Sequence, residues 1–165
     1  MGCTGPEKDP CDIGTGAVRV NEDNLLTSPF GEVIFAYIRA DALRDGVLVE
    51  VPQALVIEAG IRVPVAVTSA VWDGYLSPHY LEDLPGQSVE GRLWDLLWMF
   101  TLAVRHARRT SSLQFRTIFV TFRDYAGDGA EPVRKVDHET VTFKALCGPG
   151  DNGEPVITIM LPEED

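Results

Sequence analysis

Cysteine is scarce in this chain: Cys3, Cys11 and Cys147, spaced without pattern. An odd, scattered set supplies neither a disulfide framework nor a zinc site. A reducing, cytoplasmic setting is the simplest expectation. Long apolar runs are missing too. No stretch approaches the ~20 residues a bilayer-spanning helix needs, so no membrane association is expected. Met1 to Pro6 is polar, so no secretory leader is expected. Pro6 also stands where a myristoylation signal wants Ser or Thr. Positive charge is the third shortage. Twenty-five acids face 14 bases, for a net charge of −11. Duplex binding needs clustered Lys and Arg, so no direct duplex DNA binding is expected. Only residues 92–116 are basic, with five arginines against Asp95. The acidic balance keeps a small protein soluble and suits a protein partner with a basic surface. Finally, the chain has no Walker loop, no G-x-S-x-G elbow and no H-E-x-x-H pair. No cofactor and no metal are expected.

What is present is a core. Of 165 residues, 45% are apolar, enough for one domain with a full-sized interior. Residues 1–27 are rich in Gly, Pro, Asp and Asn without apolar period and read as a mobile tail. Residues 28–165 read as a single domain. A helix is expected over 32–45, stopped by Gly46. Pro52 and Pro64 suit the first position of two short helices, the second reaching Gly74. Tyr75 to Gln87 reads as a loop. Ser88 suits the N-cap of a long helix over 89–109. Its stripe of Leu93, Leu96, Leu97, Phe100, Ala103 and Val104 is widened by Trp94 and Trp98, which marks it as deeply buried.

Leu113 to Phe122 alternates as a strand, with Leu113, Phe115 and Phe119 on one face and Ile118, Val120 and Phe122 on the other. A polar loop follows from Asp124 to His138. Val141–Cys147 and Val156–Leu161 then form a C-terminal hairpin around Asn152-Gly153. The fold class expected is α+β: N-terminal helices and one long buried helix on a small antiparallel sheet of at least three strands. Such a sheet leaves edges, and the threonines at 117, 121, 142 and 158 suggest a partly polar face. A homodimer through an edge or the outer face is therefore expected.

Several segments together carry a family resemblance. They are Gly31-Glu-Val-Ile34, Arg39-Ala-Asp-Ala-Leu-Arg-Asp-Gly-Val-Leu-Val49, Glu58-Ala-Gly60 and Pro64-Val-Ala-Val-Thr68. Gly91-Arg-Leu-Trp-Asp-Leu-Leu-Trp98, Cys147-Gly-Pro-Gly-Asp151 and Gly153-Glu-Pro-Val-Ile-Thr-Ile-Met160 complete the set. The chain resembles an uncharacterised family of small bacterial proteins common on plasmids, phages and other mobile elements. The resemblance implies an accessory protein and assigns no residue a role.

Candidate chemistry is thin. Pro52–Gly60 followed by Val65–Val71 has the outline of a helix-turn-helix. Its second helix would present Val, Ala and Trp72 where a DNA reader needs polar and basic side chains, so two short core helices are the simpler reading. Cys147 with His138 could be a thiolate and its base. They sit at opposite ends of one strand, roughly 30 Å apart at ~3.3 Å per residue. Asp137-His-Glu139 offers three ligand types, but neighbours on a strand face opposite ways. The acid–glycine clusters at 124–129 and 151–154 lack EF-hand spacing and suit turns. His79 with Glu82 and Asp83 could be a general base, without other parts of a site. An acidic mimic of nucleic acid would need its carboxylates on one face, and here they are dispersed. The remaining weak catalytic candidates are His79, His138 and Cys147. The favoured reading is a protein acting by contact. A small hydrolase-like enzyme with a loop-built site and an acidic nucleic-acid mimic or DNA-associated regulator are the alternatives.

Overall fold

A computed structural model describes residues 37–107, 110–125 and 133–164. The expected tail over 1–27, the helix start at 32–36, Arg108, Arg109 and the segment 126–132 lie outside the described residues. The elements in order are α1 (Arg39–Arg44), β1 (Leu48–Glu50), α2 (Gln53–Glu58), β2 (Val65–Thr68), α3 (Ser69–Val71), α4 (Val89–His106), β3 (Ser112–Tyr125), β4 (Val133–Pro149) and β5 (Pro155–Met160). A π-turn over Trp72–Leu76 and a 3-10 turn over Leu81–Asp83 link α3 to α4. The fold is α+β, with a long helix on a sheet that ends in a C-terminal hairpin.

The sheet has five strands in the order β1-β2-β5-β4-β3. Three pairings are antiparallel and β2–β5 is parallel, so the sheet is mixed where the sequence suggested a purely antiparallel one. The difference comes from Val65–Thr68. Pro64 led to an expected helix over 64–73; the segment is instead a strand with every residue buried. A short run of Val, Ala and Thr covered on both faces suits a central strand with a parallel neighbour. The chain turns helical only from Ser69, with the Thr68 hydroxyl accepting from the Val71 N–H, and passes from α3 into the π-turn. The helix-turn-helix outline therefore fails; of the two short core helices, the first is α2, with Val56 buried, and the second is reduced to Ser69–Val71.

One sheet face carries Val65, Val67, Ile157, Ile159, Ala145, Phe143, Val141, Phe115 and Phe119, all buried. Helix α4 lies across it. Phe100 meets Phe115 at 5.6 Å, and the Arg92 guanidinium lies 5.5 Å over the Phe119 ring, so the helix runs antiparallel to β3. Leu93, Leu96, Leu97 and Phe100 are buried, each contributing roughly 1.5–3 kcal/mol. Ser88 caps the helix as expected, accepting from the Gly91 N–H at 3.1 Å. Trp94 and Trp98 are only half-buried, stacked on each other at 5.3 Å. The apolar band is wider than the sheet can cover, and the tryptophans fall on its outer margin.

The expected loop over Asp124–His138 is shorter than its polarity suggested. β3 runs to Tyr125 and β4 resumes at Val133, with Asp124 opposite Arg134. Gly153 takes the positive φ of 82° in the β4–β5 turn. That turn has a second task. Both carboxylate oxygens of Asp151 accept the backbone N–H groups of Arg39 and Ala40, each at 2.8 Å. The short helix α1 is thus capped from across the fold and stops at Gly46, whose φ is 76°.

Candidate edge-strand docking site

The three residues singled out for chemistry do not meet. His79 is exposed in the turn before α4 and packs edge-on to Tyr80 at 5.2 Å. His138 and Cys147 both lie on β4, nine residues apart and therefore on opposite faces. Cys147 sits at the rim of an apolar cavity of about 340 Å³ between the end of α4 and the start of β3, lined by Phe100, Val104, Leu113, Ala145 and Ile157. The cavity's polar lining among the described residues is Thr110, Ser111 and Cys147, with no titratable partner for the thiol. Asp137 is tied to Tyr125 at 3.0 Å and Arg123 at 3.1 Å, while His138 and Glu139 are exposed. Among the described residues no three His, Cys, Asp or Glu side chains come close enough to share a metal. The Glu164 carboxylate accepts from the Thr68 hydroxyl and from the Leu161 N–H.

A different place shows organised polarity. Among the described residues β3 has a single neighbour, β4, and forms one edge of the sheet. Along an antiparallel strand, backbone groups point alternately toward the neighbour and away from it. The phase is fixed at both ends. The Ser111 carbonyl accepts from Cys147 N–H at 2.8 Å, so odd positions bond to β4. The Val120 carbonyl accepts from Arg92 Nη2 at 2.5 Å, so even positions face the open edge. At Ser112 the Thr110 hydroxyl occupies both outward groups, accepting the N–H at 3.2 Å and donating to the carbonyl at 2.8 Å. Thr110 therefore closes one end and Arg92 the other. Between them the outward N–H and C=O groups of Gln114, Arg116 and Ile118 have no partner among the described residues.

The Arg92 stop is built into the core. The residue is 3% exposed. Its guanidinium also donates to the Tyr75 carbonyl at 2.6 Å and to Gln87 Oε1 at 3.2 Å. Burial pulls its pKa below the ordinary guanidinium value, while the nearby Tyr80 hydroxyl opposes that shift. Tyr80 itself pairs with the Thr121 hydroxyl at 3.1 Å.

A groove of about 540 Å³ runs beside the open stretch. It is lined by Asp95, Trp98 and Met99 of α4, by Arg116, Thr117 and Ile118 of β3, and by Thr140. Met99 and Ile118 are exposed apolar side chains, Ile118 at 61%. Thr117 is 2% exposed, and its hydroxyl is buried with no hydrogen-bond partner among the described residues. Orphaned buried hydroxyls are uncommon and costly. An edge strand with open outward backbone groups beside a helix and an apolar wall can receive one more strand.

Sequence reasoning did not find this site, because strand order decides which strand is the edge. Arg92 did leave a signal: it stands in the same helical stripe as Leu93, Leu96 and Phe100, where a cation needs buried acceptors. No curated protein and no solved structure matches the chain. A family model does match, over residues 26–165, and the chain belongs to that family, DUF6573, a family of unknown function.

Proposed function

We propose that this protein acts by contact and not by catalysis, taking up an extended polypeptide segment of a partner as an added strand on the edge of β3. The observation that carries the reading is the run of outward N–H and C=O groups at Gln114, Arg116 and Ile118 that have no partner among the described residues, closed at both ends by Thr110 and Arg92. In strand addition the main chain supplies affinity and alternate side chains supply selectivity. Here one set of ligand side chains enters the groove of Trp98, Met99 and Thr117, and the other lies beside Arg116 and Ile118. The resemblance to small bacterial proteins of mobile elements, together with the scattered cysteines, supports placing this activity in a cytoplasmic accessory protein.

The test is backbone amide exchange in the protein alone and with peptides selected on it from a displayed random library. In the free protein Gln114, Arg116 and Ile118 exchange fast while Phe115, Thr117 and Phe119 exchange slowly. A bound strand slows the first set. Selected peptides that leave those three amides fast rule out strand addition.

A further inference from the structure

We infer that the segment this edge accepts is about five residues long and acidic at its centre, and that it comes from a partner and not from a second copy of the chain. This rests on the strand-addition reading and adds the identity of the strand.

The length follows from the two stops. Pairing toward the start of β3 ends at Ser112, whose outward groups Thr110 already holds. Pairing in the other direction ends at Val120, whose carbonyl Arg92 holds. Three outward positions remain, at 114, 116 and 118, spanning five residues. At ~3.3 Å per residue the open stretch is about 13 Å long.

The charge follows from Arg116. It is the middle outward position, exposed, with no carboxylate within ion-pair distance among the described residues. A ligand residue directly opposite it projects on the same face of the sheet. On that face the flanking residues across β4 are Thr140, Thr142 and Lys144, so no acid there neutralises it. An Asp or Glu in the ligand fits; a Lys or Arg is repelled. Two positions away the ligand meets Ile118 on one side and Gln114 on the other, which favours one apolar and one polar residue. The intervening side chains point toward the groove, one against Trp98 and Met99, and one beside Asp95.

The same geometry disfavours self-pairing. Of the two-fold antiparallel pairings of β3 with β3, the one that uses all three open positions sets Arg116 against the Arg116 of the second copy. Shifting the register by one pair in either direction runs into Thr110 or Arg92.

The experiment uses the full chain and fluorescein-labelled seven-residue peptides of alternating Val and Thr, identical except for Glu, Gln or Lys at the centre. Fluorescence anisotropy gives their affinities, amide exchange at Gln114, Arg116 and Ile118 reports where they bind, and sedimentation velocity reports the protein's own association. The Glu-centred peptide is expected to bind about five-fold or more tighter than the Lys-centred one. Arg116→Glu reverses the order, and Arg116→Gln levels it. Arg116 is exposed, so both variants fold. Equal binding of Glu- and Lys-centred peptides, with all three amides slowed, overturns the acidic strand and leaves strand addition standing. No slowing with any peptide overturns both. A dimer whose three edge amides are protected, and which the Glu peptide does not dissociate, overturns the exclusion of a second copy.

Discussion

Replacing Arg92 by methionine keeps an unbranched stem in the core and removes the guanidinium, with its contact over Phe119. Three acceptors then lose their donor: the backbone carbonyls of Tyr75 and Val120, and Gln87 Oε1. A hydrogen bond from a charged donor is worth roughly 1.5–3 kcal/mol, and the Gln87 amide can turn to another partner. Against the two carbonyl bonds stands the relief of no longer burying a cation, the same desolvation that pulls the Arg92 pKa down. The net loss is expected at about 2–4 kcal/mol. Arg92→Lys keeps the charge without the fork that reaches two carbonyls, and falls between wild type and methionine. Urea denaturation gives the stabilities. Amide exchange should show the loosening concentrated at the π-turn over Trp72–Leu76 and in β3 around Val120. The same variant exposes the Val120 carbonyl, so peptides two residues longer should gain affinity on Arg92→Met alone. If Arg92→Met is as stable as the wild type, the buried cation costs as much as its hydrogen bonds return, and the account of a strong stop at Val120 is wrong.

Thr117→Val removes the buried hydroxyl without changing shape, so stability should stay level or rise by up to ~1 kcal/mol; a clear drop in urea midpoint would show that the hydroxyl has a partner in solution. Asp151→Ala removes the cap of α1 from across the fold and should cost about 1–2 kcal/mol, with faster exchange over Arg39–Arg44; unchanged exchange there would show that the cap is dispensable. Asp137 has its pKa held below the ordinary 3.8 by the His138 N–H and then by the Tyr125 hydroxyl. Its folded-state pKa is the lower one, so its contribution is present above ~4 and is lost as pH falls through the depressed value. Tyr125, raised first by its bond to Asp137, should ionise closer to 10 in Asp137→Asn when followed by ultraviolet titration; an unmoved Tyr125 would break the link.

Local pattern carried much of this fold. Ser88 and the leucine stripe located α4, alternation placed Phe115 and Phe119 on the core face, and Asn152-Gly153 located the C-terminal turn. The failures share a cause. Val65–Thr68 has the composition of a strand but follows a proline suited to a helix start, and its pairing with β5, some ninety residues away, decided the matter. Asp151 looked like turn chemistry and is also a helix cap, because the hairpin turn meets α1 only in three dimensions. Trp94 and Trp98 were expected to be buried from their apolarity alone. Their half-exposure depends on the width of the sheet beneath, which no local window contains. The docking edge was hidden for the same reason. The alternation of β3 gave its two faces, while its place at the border of the sheet follows from the order β1-β2-β5-β4-β3.

Salt dependence separates the acidic-strand reading from the one net charge alone suggests. A chain of charge −11 attracts a basic partner at long range, and such association slows as salt rises. An acidic strand has the opposite problem. It approaches an acidic protein against a repulsive field and meets its favourable cation, Arg116, only at contact. At physiological ionic strength the Debye length is about 8 Å. Added salt therefore screens the repulsion of the whole molecule more than the short contact with Arg116. For a Glu-centred peptide the association rate should rise as salt increases from 10 to about 150 mM, with the dissociation rate rising less. Arg116→Gln should keep the rise in association rate, which belongs to the global field, and dissociate faster at every salt concentration. Stopped-flow anisotropy measures both rates. An association rate that falls steadily with salt for the Glu-centred peptide would mean that a positive surface larger than Arg116 steers it, and the docking strand would then not be the site of contact.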